Sequence, residues 1–233
     1  MDRRTTFIST LSPCEYLPDR LWQLRYEIRP AIGAREYMTL LSEGWRRIGP
    51  ALFRPECPSC HMCQSLRVPV GTFRPGESQR RVWKKNDGEV TITIARPSSS
   101  REKLELFGRF HEHGHEVKAW PPREHADLAL FIQNPFPVEE WSYRVGDRLV
   151  GVGYVDALPE GLSAIYFYHD PLEHRRSLGT FNIMAIIAAA RDRGLPHVYL
   201  GYYVRGCRSL EYKARFRPNE ILRPDGEWRT LTE

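Results

Sequence analysis

A strand, a strongly apolar helix and a second strand follow one another in the C-terminal part of the chain, and this succession limits the fold most. Ser163 to Tyr168 has the pattern of a strand, and Ser177 can cap the helix LGTFNIMAIIAAARDR, which ends at Gly194. Apolar residues surround most of this helix, so we expect it to be buried. The dense apolar run HVYLGYYV then predicts another strand. The succession predicts a mixed α/β, or α+β, region built around a central sheet.

Periodicity and turn residues predict the other elements. Trp141 to Asp156 contains two alternating runs joined by Gly146-Asp147, which is typical of a β-hairpin. Further strands are expected at LWQLRYEI, at Trp45 to Phe53 with a break at Gly49-Pro50, and in SLRVPVGTF and EVTITIA. Helices are expected in AREYMTLLSEG, in the stretch containing Leu104, Phe107 and Phe110, and in RSLEYKARF. His111, His113 and His115 alternate and cannot share one helix face, which favours surface histidines over a metal site.

Two prolines interrupt the chain in NPFPVEEW, and this is the best candidate for a boundary. The chain has 233 residues, which suits one large domain or two small ones. We predict an N-terminal cysteine-containing region over 1–134 and a C-terminal region over 135–233.

The sequence favours a cytoplasmic protein without a membrane partner. The longest apolar run, Ile183 to Ala190, is far shorter than the ~20 residues that cross a bilayer. The start, MDRRTTFISTLSP, has no apolar stretch behind its arginines, so a secretory signal is not expected. Five cysteines are an odd number, and three of them lie close together, which argues against a disulfide framework.

Positive charge is concentrated in two segments. The chain carries 34 Lys and Arg against 29 Asp and Glu, a net charge of +5. The first segment contains Arg67, Arg74, Arg80, Arg81, Lys84 and Lys85, and the second Arg205, Arg208, Lys213, Arg215 and Arg217. Aromatic residues such as Trp83 and Tyr212 are interleaved, which suits phosphates and stacked bases. The same residues would also suit the carboxylate of an acidic peptide, and two solvated basic faces remain the plainer interpretation.

The cysteines suggest a metal site. Cys57, Cys60 and Cys63 are spaced so that their thiolates can converge, as in zinc knuckles and iron–sulfur loops, and Cys14 is the upstream candidate for a fourth ligand. Free thiols are the alternative. Cys207 is expected to be a small buried side chain.

One turn has the composition of a phosphate site. HRRSLGTF leads into the apolar helix and places basic and small residues at its N-terminus. It contains one glycine, Gly179, where a strong phosphate loop has two or three, so a helix start that follows two arginines explains it nearly as well.

Four segments carry a family resemblance: FRPECPSCHMCQSLRVPV, ESQRRVWKKN, FYHDPLEHRRSLGTF and HVYLGYYVRGCRSLEYKARFRPNEIL. They resemble the arginyl-tRNA–protein transferase family, and within it the bacterial branch of aspartate/glutamate leucyltransferases. The resemblance runs from Cys14 to about Trp228. It implies an enzyme that moves an aminoacyl group from charged tRNA to the N-terminal amine of a protein and so creates an N-degron. It also implies a C-terminal region similar to the GNAT acyltransferases.

The resemblance also implies which residues act. We expect the acidic first residue of the acceptor to be held by Arg67, Arg80, Arg81, Lys213 and Arg215. The end of the tRNA would be held by His174, Arg175, Arg176 and Tyr212. The chemistry requires no cofactor, although zinc or an iron–sulfur cluster on Cys14, Cys57, Cys60 and Cys63 is a further expectation. Leucine is favoured over arginine by the bacterial branch alone. An acetyl-CoA-dependent GNAT enzyme and a metal-stabilised RNA-binding module are the alternatives.

Overall fold

The computed structural model describes residues 4–118 and 123–232, and within these ranges the chain forms strands, six α-helices and three 3₁₀ turns. The strands are β1 Thr5–Ile8, β2 Ser12–Pro13, β3 Leu21–Trp22, β4 Leu24–Ile28, β5 Arg46–Ile48, β6 Ala51–Pro55, β7 Gln64–Pro69, β8 Val90–Ala95, β9 Val138–Val145, β10 Arg148–Leu158, β11 Gly161–His169, β12 His197–Tyr203, β13 Glu220–Leu222 and β14 Trp228–Thr230. The helices are α1 Ala34–Ser42, α2 Glu77–Asn86, α3 Arg101–Lys118, α4 Ala129–Ile132, α5 Leu178–Asp192 and α6 Arg208–Glu211. The 3₁₀ turns are His125–Leu128, Pro171–Arg176 and Tyr212–Arg215.

An eight-stranded sheet organises the molecule, with the strand order β14-β13-β7-β12-β11-β10-β9-β8. A four-stranded sheet, β1-β4-β6-β5, lies beside it. The predicted hairpin is β9 and β10, and the predicted break at Gly49-Pro50 separates β5 from β6. Strands β7 and β8 come from the N-terminal side of the predicted 134/135 boundary, so the two predicted regions share one sheet.

The helix α5 packs on one face of the large sheet. Its side chains Phe181 and Ile186 are buried in a cluster with Val198 and Leu200 of β12. This confirms the prediction of a buried helix between two strands and of a mixed α/β fold.

The opposite face of the sheet is covered by N-terminal elements. Tyr37 and Leu41 of α1 form a second buried cluster with Tyr199 of β12, and the Tyr37 hydroxyl donates to the Asp156 carboxylate at 2.9 Å. Residues of β12 therefore alternate between the α5 face and the N-terminal face, as the period of a strand requires.

The structure adds one helix and corrects one prediction. The segment ESQRRVWKKN, for which the sequence predicts no regular element, forms the helix α2, whose inner face carries the buried amides Gln79 and Asn86. His111 was expected on the surface, yet it is buried and its Nε2 lies 2.5 Å from the Tyr166 hydroxyl. Burial lowers the pKa of His111, so its ring is neutral inside the core at physiological pH.

No helix within the described ranges is long and apolar enough to cross a membrane.

Candidate functional site

A fork between β11 and β12 opens the large sheet. The two strands pair in parallel only from Gly161 to Ser163 and from His197 to Tyr199, although β11 continues to His169 and β12 to Tyr203. Beyond Ser163 and Tyr199, the described parts of the two strands are no longer paired with each other, so the facing edges diverge and leave room for a ligand between them.

Glycines allow this geometry at both strands. Gly161 approaches the His197 carbonyl so closely that a Cβ atom would lie 2.6 Å from that oxygen. Gly201 has a φ of +81° at an irregularity in the pairing of β12 with β7, a backbone conformation that favours glycine. β12 therefore changes its pairing at the point where the fork begins.

The 3₁₀ turn Pro171–Arg176 joins β11 to α5 and carries three of the predicted tRNA contacts. His174 and Arg175 are exposed, whereas Arg176 forms ion pairs of 2.8 Å with both Glu89 and Glu173. Ser177 adopts a positive φ of +52° at the start of α5. We therefore assign Arg176 to holding the turn and leave the other two side chains available to a ligand.

Helix α2 lies along this side of the molecule and is anchored at both ends. The Gln79 amide donates to the Arg215 carbonyl at 3.2 Å, and the Asn86 amide donates to the Arg176 carbonyl at 2.9 Å. These amides are seven residues apart and lie on the same inner face. The predicted basic segments therefore meet here, since α2 connects the 3₁₀ turn before α5 with the one that contains Lys213.

The outer face of α2 is strongly positive. Its exposed cations, together with those of the two turns that it joins, form what we call the α2 basic surface: Arg80, Arg81, Lys84, Lys85, Arg175 and Arg215. Arg81 makes an exposed 3.7 Å ion pair with Glu77, which is worth little in water. A helix of this length extends about 15 Å, long enough to follow several phosphates of a nucleic acid.

A second positive region lies inside the protein, beneath β12 on its N-terminal face. The Arg46 guanidinium carbon lies 5.9 Å from the centre of the Tyr199 ring and 5.5 Å from that of Tyr202. Its Nη1 donates to the carbonyls of Leu41 and Trp45 at 3.1 and 2.6 Å. Its Nε and Nη2 have no hydrogen-bond partner among the described residues, and burial lowers its pKa.

Lys213 lies beside the same strand. Its Nζ donates to the Tyr202 carbonyl at 2.9 Å, and the side chain is half-buried. Burial, together with the charge of Arg46, lowers the pKa of Lys213 to about 7. Two cations therefore share this part of the interior, and no salt bridge to a carboxylate is formed by either of them within the described ranges.

The five predicted acceptor residues lie in three different places. Arg67 is half-buried in β7, where its Nε donates to Glu220 at 2.7 Å and its guanidinium stacks 4.3 Å from the centre of the Trp228 ring. Arg80, Arg81 and Arg215 belong to the α2 basic surface, together with Arg175, one of the predicted tRNA residues. Lys213 lies near Arg46, which the sequence reasoning did not select. The pair Arg46-Arg47 in a short strand was the available signal, since two successive arginines place one on each face of the sheet.

A cleft of about 630 Å³ opens on this side of the protein. Its walls include Arg54, Arg67 and Trp228. Trp228 packs edge-to-face on Tyr199, whose ring covers Arg46, with 5.8 Å between the ring centres. Trp228 and Tyr199 therefore lie between the cleft and Arg46.

The cysteines gather in one neighbourhood. Burial and the nearby thiols of Cys57, Cys14 and Cys60 raise the pKa of Cys63 to about 12. In the part of the chain that the structure describes, no three Cys, His, Asp or Glu side chains are arranged to hold a metal ion. The thiols are thus close together without a ligand geometry, and the metal site stays a prediction. Cys207 is buried against Tyr202 and Val204, which confirms its expected role in packing.

Comparison with known proteins adds the family to this geometry. Models of the arginine-tRNA-protein transferase N terminus and C terminus match residues 12–81 and 102–223. The chain is 36% identical over 220 residues to a protein of Pseudomonas fluorescens (strain SBW25) named aspartate/glutamate leucyltransferase, covering 94% of this chain and 93% of that protein. It is 37% identical over 221 residues to a protein of the same name from Pseudomonas putida (strain W619), with the same coverage.

A solved structure shares the fold. The crystal structure of FemX matches 95% of this chain and 85% of its own chain with a TM-score of 0.53 and 8% sequence identity. At that identity, the likeness concerns the fold alone. Because both family models match and the relatives cover nearly the whole length, the chain belongs to the arginine-tRNA-protein transferase family.

Proposed function

We propose that this protein transfers leucine from charged tRNA to the N-terminal Asp or Glu of proteins, and so creates an N-degron in the cytoplasm, where charged tRNA is used. The observation that carries the proposal is the fork between β11 and β12, flanked on one side by the α2 basic surface and on the other by buried cations. The names of the relatives support leucine as the transferred group and acidic residues as the acceptors.

The reaction is the aminolysis of an ester. The acceptor's neutral α-amine attacks the leucyl carbonyl carbon, an amide bond forms, and the bond from that carbon to the terminal ribose oxygen breaks. The amine loses one proton, and the departing ribose oxygen gains one to become a hydroxyl. The ester is already activated, so neither ATP nor a cofactor is required. An α-amine has a pKa of about 7.7–8.0, and a useful fraction is neutral at physiological pH. Holding amine and ester together can then contribute roughly 7–11 kcal/mol.

The donor tRNA binds along the α2 basic surface in this proposal. Exposed Arg and Lys side chains suit phosphates, and His174, Arg175 and Tyr212 could reach the terminal nucleotides. The finer description of the fold as GNAT-like is part of the proposal. It is supported by the forked strands and by the turn before α5, which in that fold would correspond to the turn that acyl-CoA enzymes use for pyrophosphate.

Two alternative functions remain testable against this one. An acetyl-CoA-dependent GNAT enzyme would use the same fork, and a non-catalytic RNA-binding module would use the same basic surface. The first requires transfer of acetyl groups, and the second requires RNA binding without any transfer.

A transfer assay distinguishes the three functions. The protein is incubated with leucyl-tRNA, arginyl-tRNA or acetyl-CoA, each labelled in its acyl group, and with peptides that begin with Asp, Glu or Ala. We expect label on the Asp and Glu peptides from leucyl-tRNA. Label from acetyl-CoA alone, or tight binding of tRNA with no labelled peptide, would contradict the proposal.

A further inference from the structure

We propose that Arg46 binds the side-chain carboxylate of the acceptor's first residue through its Nε and Nη2 atoms. This inference rests on the proposed function and adds to it the residue that selects acidic acceptors. The sequence alone did not indicate Arg46 for this role.

Four cationic side chains are buried in the described part of the molecule: Arg29, Arg46, Arg47 and Lys103. Three of them have a carboxylate partner. Arg29 pairs with Glu27, Arg47 pairs with Asp156, and Lys103 pairs with Glu140. Removing a cation from water without a compensating anion is strongly unfavourable. Arg46 is therefore an exception within its own protein, and a ligand is the natural source of the missing charge.

The neighbouring Arg47 shows what kind of ligand fits. Its Nε donates to Asp156 Oδ2 at 2.7 Å, and its Nη2 donates to the other oxygen of the same carboxylate. In Arg46 these same two atoms, Nε and Nη2, lack partners among the described residues. Their N–H bonds lie on one edge of the guanidinium and run parallel, which matches the two oxygens of a carboxylate. The free edge of Arg46 therefore has the geometry that already binds a carboxylate one residue away.

The surroundings favour a small anion that belongs to the acceptor. Tyr199 and Tyr202 enclose the guanidinium, and Lys213 adds a second cation beside Tyr202. A phosphate of the tRNA backbone would instead meet the exposed cations of α2, where it keeps its water. The carboxylate of an Asp or Glu side chain is flat and belongs to the first residue of the acceptor. It can therefore be buried against Arg46 while the rest of the acceptor peptide stays outside.

The position on β12 connects this carboxylate to the reaction. Val198, Leu200 and Tyr203 face α5, whereas Tyr199 and Tyr202 face the N-terminal elements and Arg46. Both sets of side chains belong to the strand that lines the fork. A donor that enters from the α5 side and an acceptor whose carboxylate lies on Arg46 therefore approach the fork from opposite faces. The cleft walled by Arg54, Arg67 and Trp228 provides room for the residues that follow the first one.

The experiment compares Arg46→Met with the wild-type protein on two ten-residue peptides that differ only in beginning with Asp or Asn. Equilibrium binding of each peptide is measured alone, and kcat/KM is measured with leucyl-tRNA. We expect the wild type to favour the Asp peptide by about a hundredfold. Arg46→Met should lose this preference because its affinity and kcat/KM fall for the Asp peptide and stay unchanged for the Asn peptide. The binding of leucyl-tRNA should not change. Arg46→Lys keeps the charge but not the two parallel donors, and it should recover only part of the preference.

Each outcome supports or overturns the inference. If the wild type transfers leucine while Arg46→Met keeps its preference for Asp, the inference fails and the proposed function stands. If no leucine is transferred but the binding preference for Asp exists and disappears in Arg46→Met, the proposed function fails and the carboxylate site stands. Equal losses on both peptides, or a parallel loss of tRNA binding, would show a structural role and overturn the inference. If Arg46→Met does not fold, as judged by its melting curve, Arg46→Lys alone decides by the same comparison of peptides.

Discussion

The α2 basic surface and the Arg46 region are both positive, and they differ in almost every other respect. On α2, the cations are exposed, hydrated and spread along a helix of about 15 Å. Around Arg46, one guanidinium is enclosed by two aromatic rings and has two donors without partners in the described structure. An exposed row of cations suits a long polyanion of any sequence, whereas a buried fork of donors suits one small anion of defined shape.

This difference separates affinity for the donor from selection of the acceptor. Exposed charges attract tRNA through the release of counterions, so their contribution falls as salt rises. A buried charge is screened much less. Salt and pH should therefore affect the two regions differently, and substitutions in them should differ in their effect on stability.

The first prediction sharpens the contrast between paired and unpaired buried arginines. Arg47→Met breaks a buried pair and leaves Asp156 without its partner, so we expect the free energy of unfolding to fall by about 3–5 kcal/mol. Arg46→Met removes a charge that has no carboxylate partner and should lower it by much less. Urea unfolding of both variants is the measurement. Equal losses would mean that Arg46 is held as firmly as Arg47 and is no more available to a ligand.

The second prediction concerns the exposed surface. Reversing two charges with Arg80→Glu and Lys84→Glu should weaken the binding of charged tRNA by about ten- to a hundredfold. If the wild-type protein neutralises about four phosphates, the logarithm of its binding constant should fall against the logarithm of salt concentration with a slope of roughly −3 to −4. The slope for the double variant should be shallower by roughly 1.5. Titration of charged tRNA at several salt concentrations tests both values. Arg191→Glu, in the last turn of α5 and outside the α2 basic surface, is a control for the effect of one charge reversal. An unchanged slope in the double variant would remove α2 from the tRNA site.

The third prediction uses the pH dependence of the buried region. The pKa of Lys213 is about 7 in the folded protein and near 10.5 when unfolded, so the unfolded chain binds more protons between these values. Stability should therefore rise with pH from about 7 towards 10.5, with a contribution of at most about 1.4 kcal/mol per pH unit from this group. Lys213→Met should flatten that rise. Urea unfolding at several pH values measures the free energy of unfolding of both proteins. If this free energy depends on pH identically in wild type and variant, Lys213 does not titrate between pH 7 and 10.5.

The fourth prediction has the smallest expected effect on transfer, because no step of the proposed reaction uses a metal. We expect anaerobically purified protein to contain about one equivalent of zinc or iron held by Cys14, Cys57, Cys60 and Cys63, and Cys60→Ser to lose it. Cys63 packs near Tyr202, so loss of the metal should lower the melting temperature and loosen the Arg46 region. Elemental analysis with melting curves tests this. Metal-free wild type and an unchanged melting temperature would favour free thiols.

Much of the fold follows from local pattern. The helix α5 and the hairpin of β9 and β10 were predicted because apolar periodicity and turn glycines specify them within the segment itself. Helix α2 was missed because its most deeply buried side chains are the amides Gln79 and Asn86, which are polar in sequence and bind distant carbonyls in the structure. His111 was misjudged for a similar reason, since its partner Tyr166 lies on another element.

The arrangement of the candidate site depends on contacts between distant parts of the chain. The basic segments could be seen in the sequence, but charge density alone does not show which cations have partners. Arg67 and Arg176 were expected to bind substrates, yet Glu220 and Glu89 neutralise them from positions far along the chain. Arg46 was overlooked because its importance depends on the absence of a carboxylate near it in the described fold, and no local pattern encodes that.

The most direct test of this account crosses two variants with two ligands. Equilibrium binding of leucyl-tRNA and of the Asp-initiated peptide is measured for the Arg80→Glu, Lys84→Glu double variant and for Arg46→Met. We expect the double variant to lose binding of tRNA but keep binding of the peptide, and Arg46→Met to lose binding of the peptide but keep binding of tRNA. A variant that weakens both ligands alike, with its fold intact, would contradict the separation of the two positive regions.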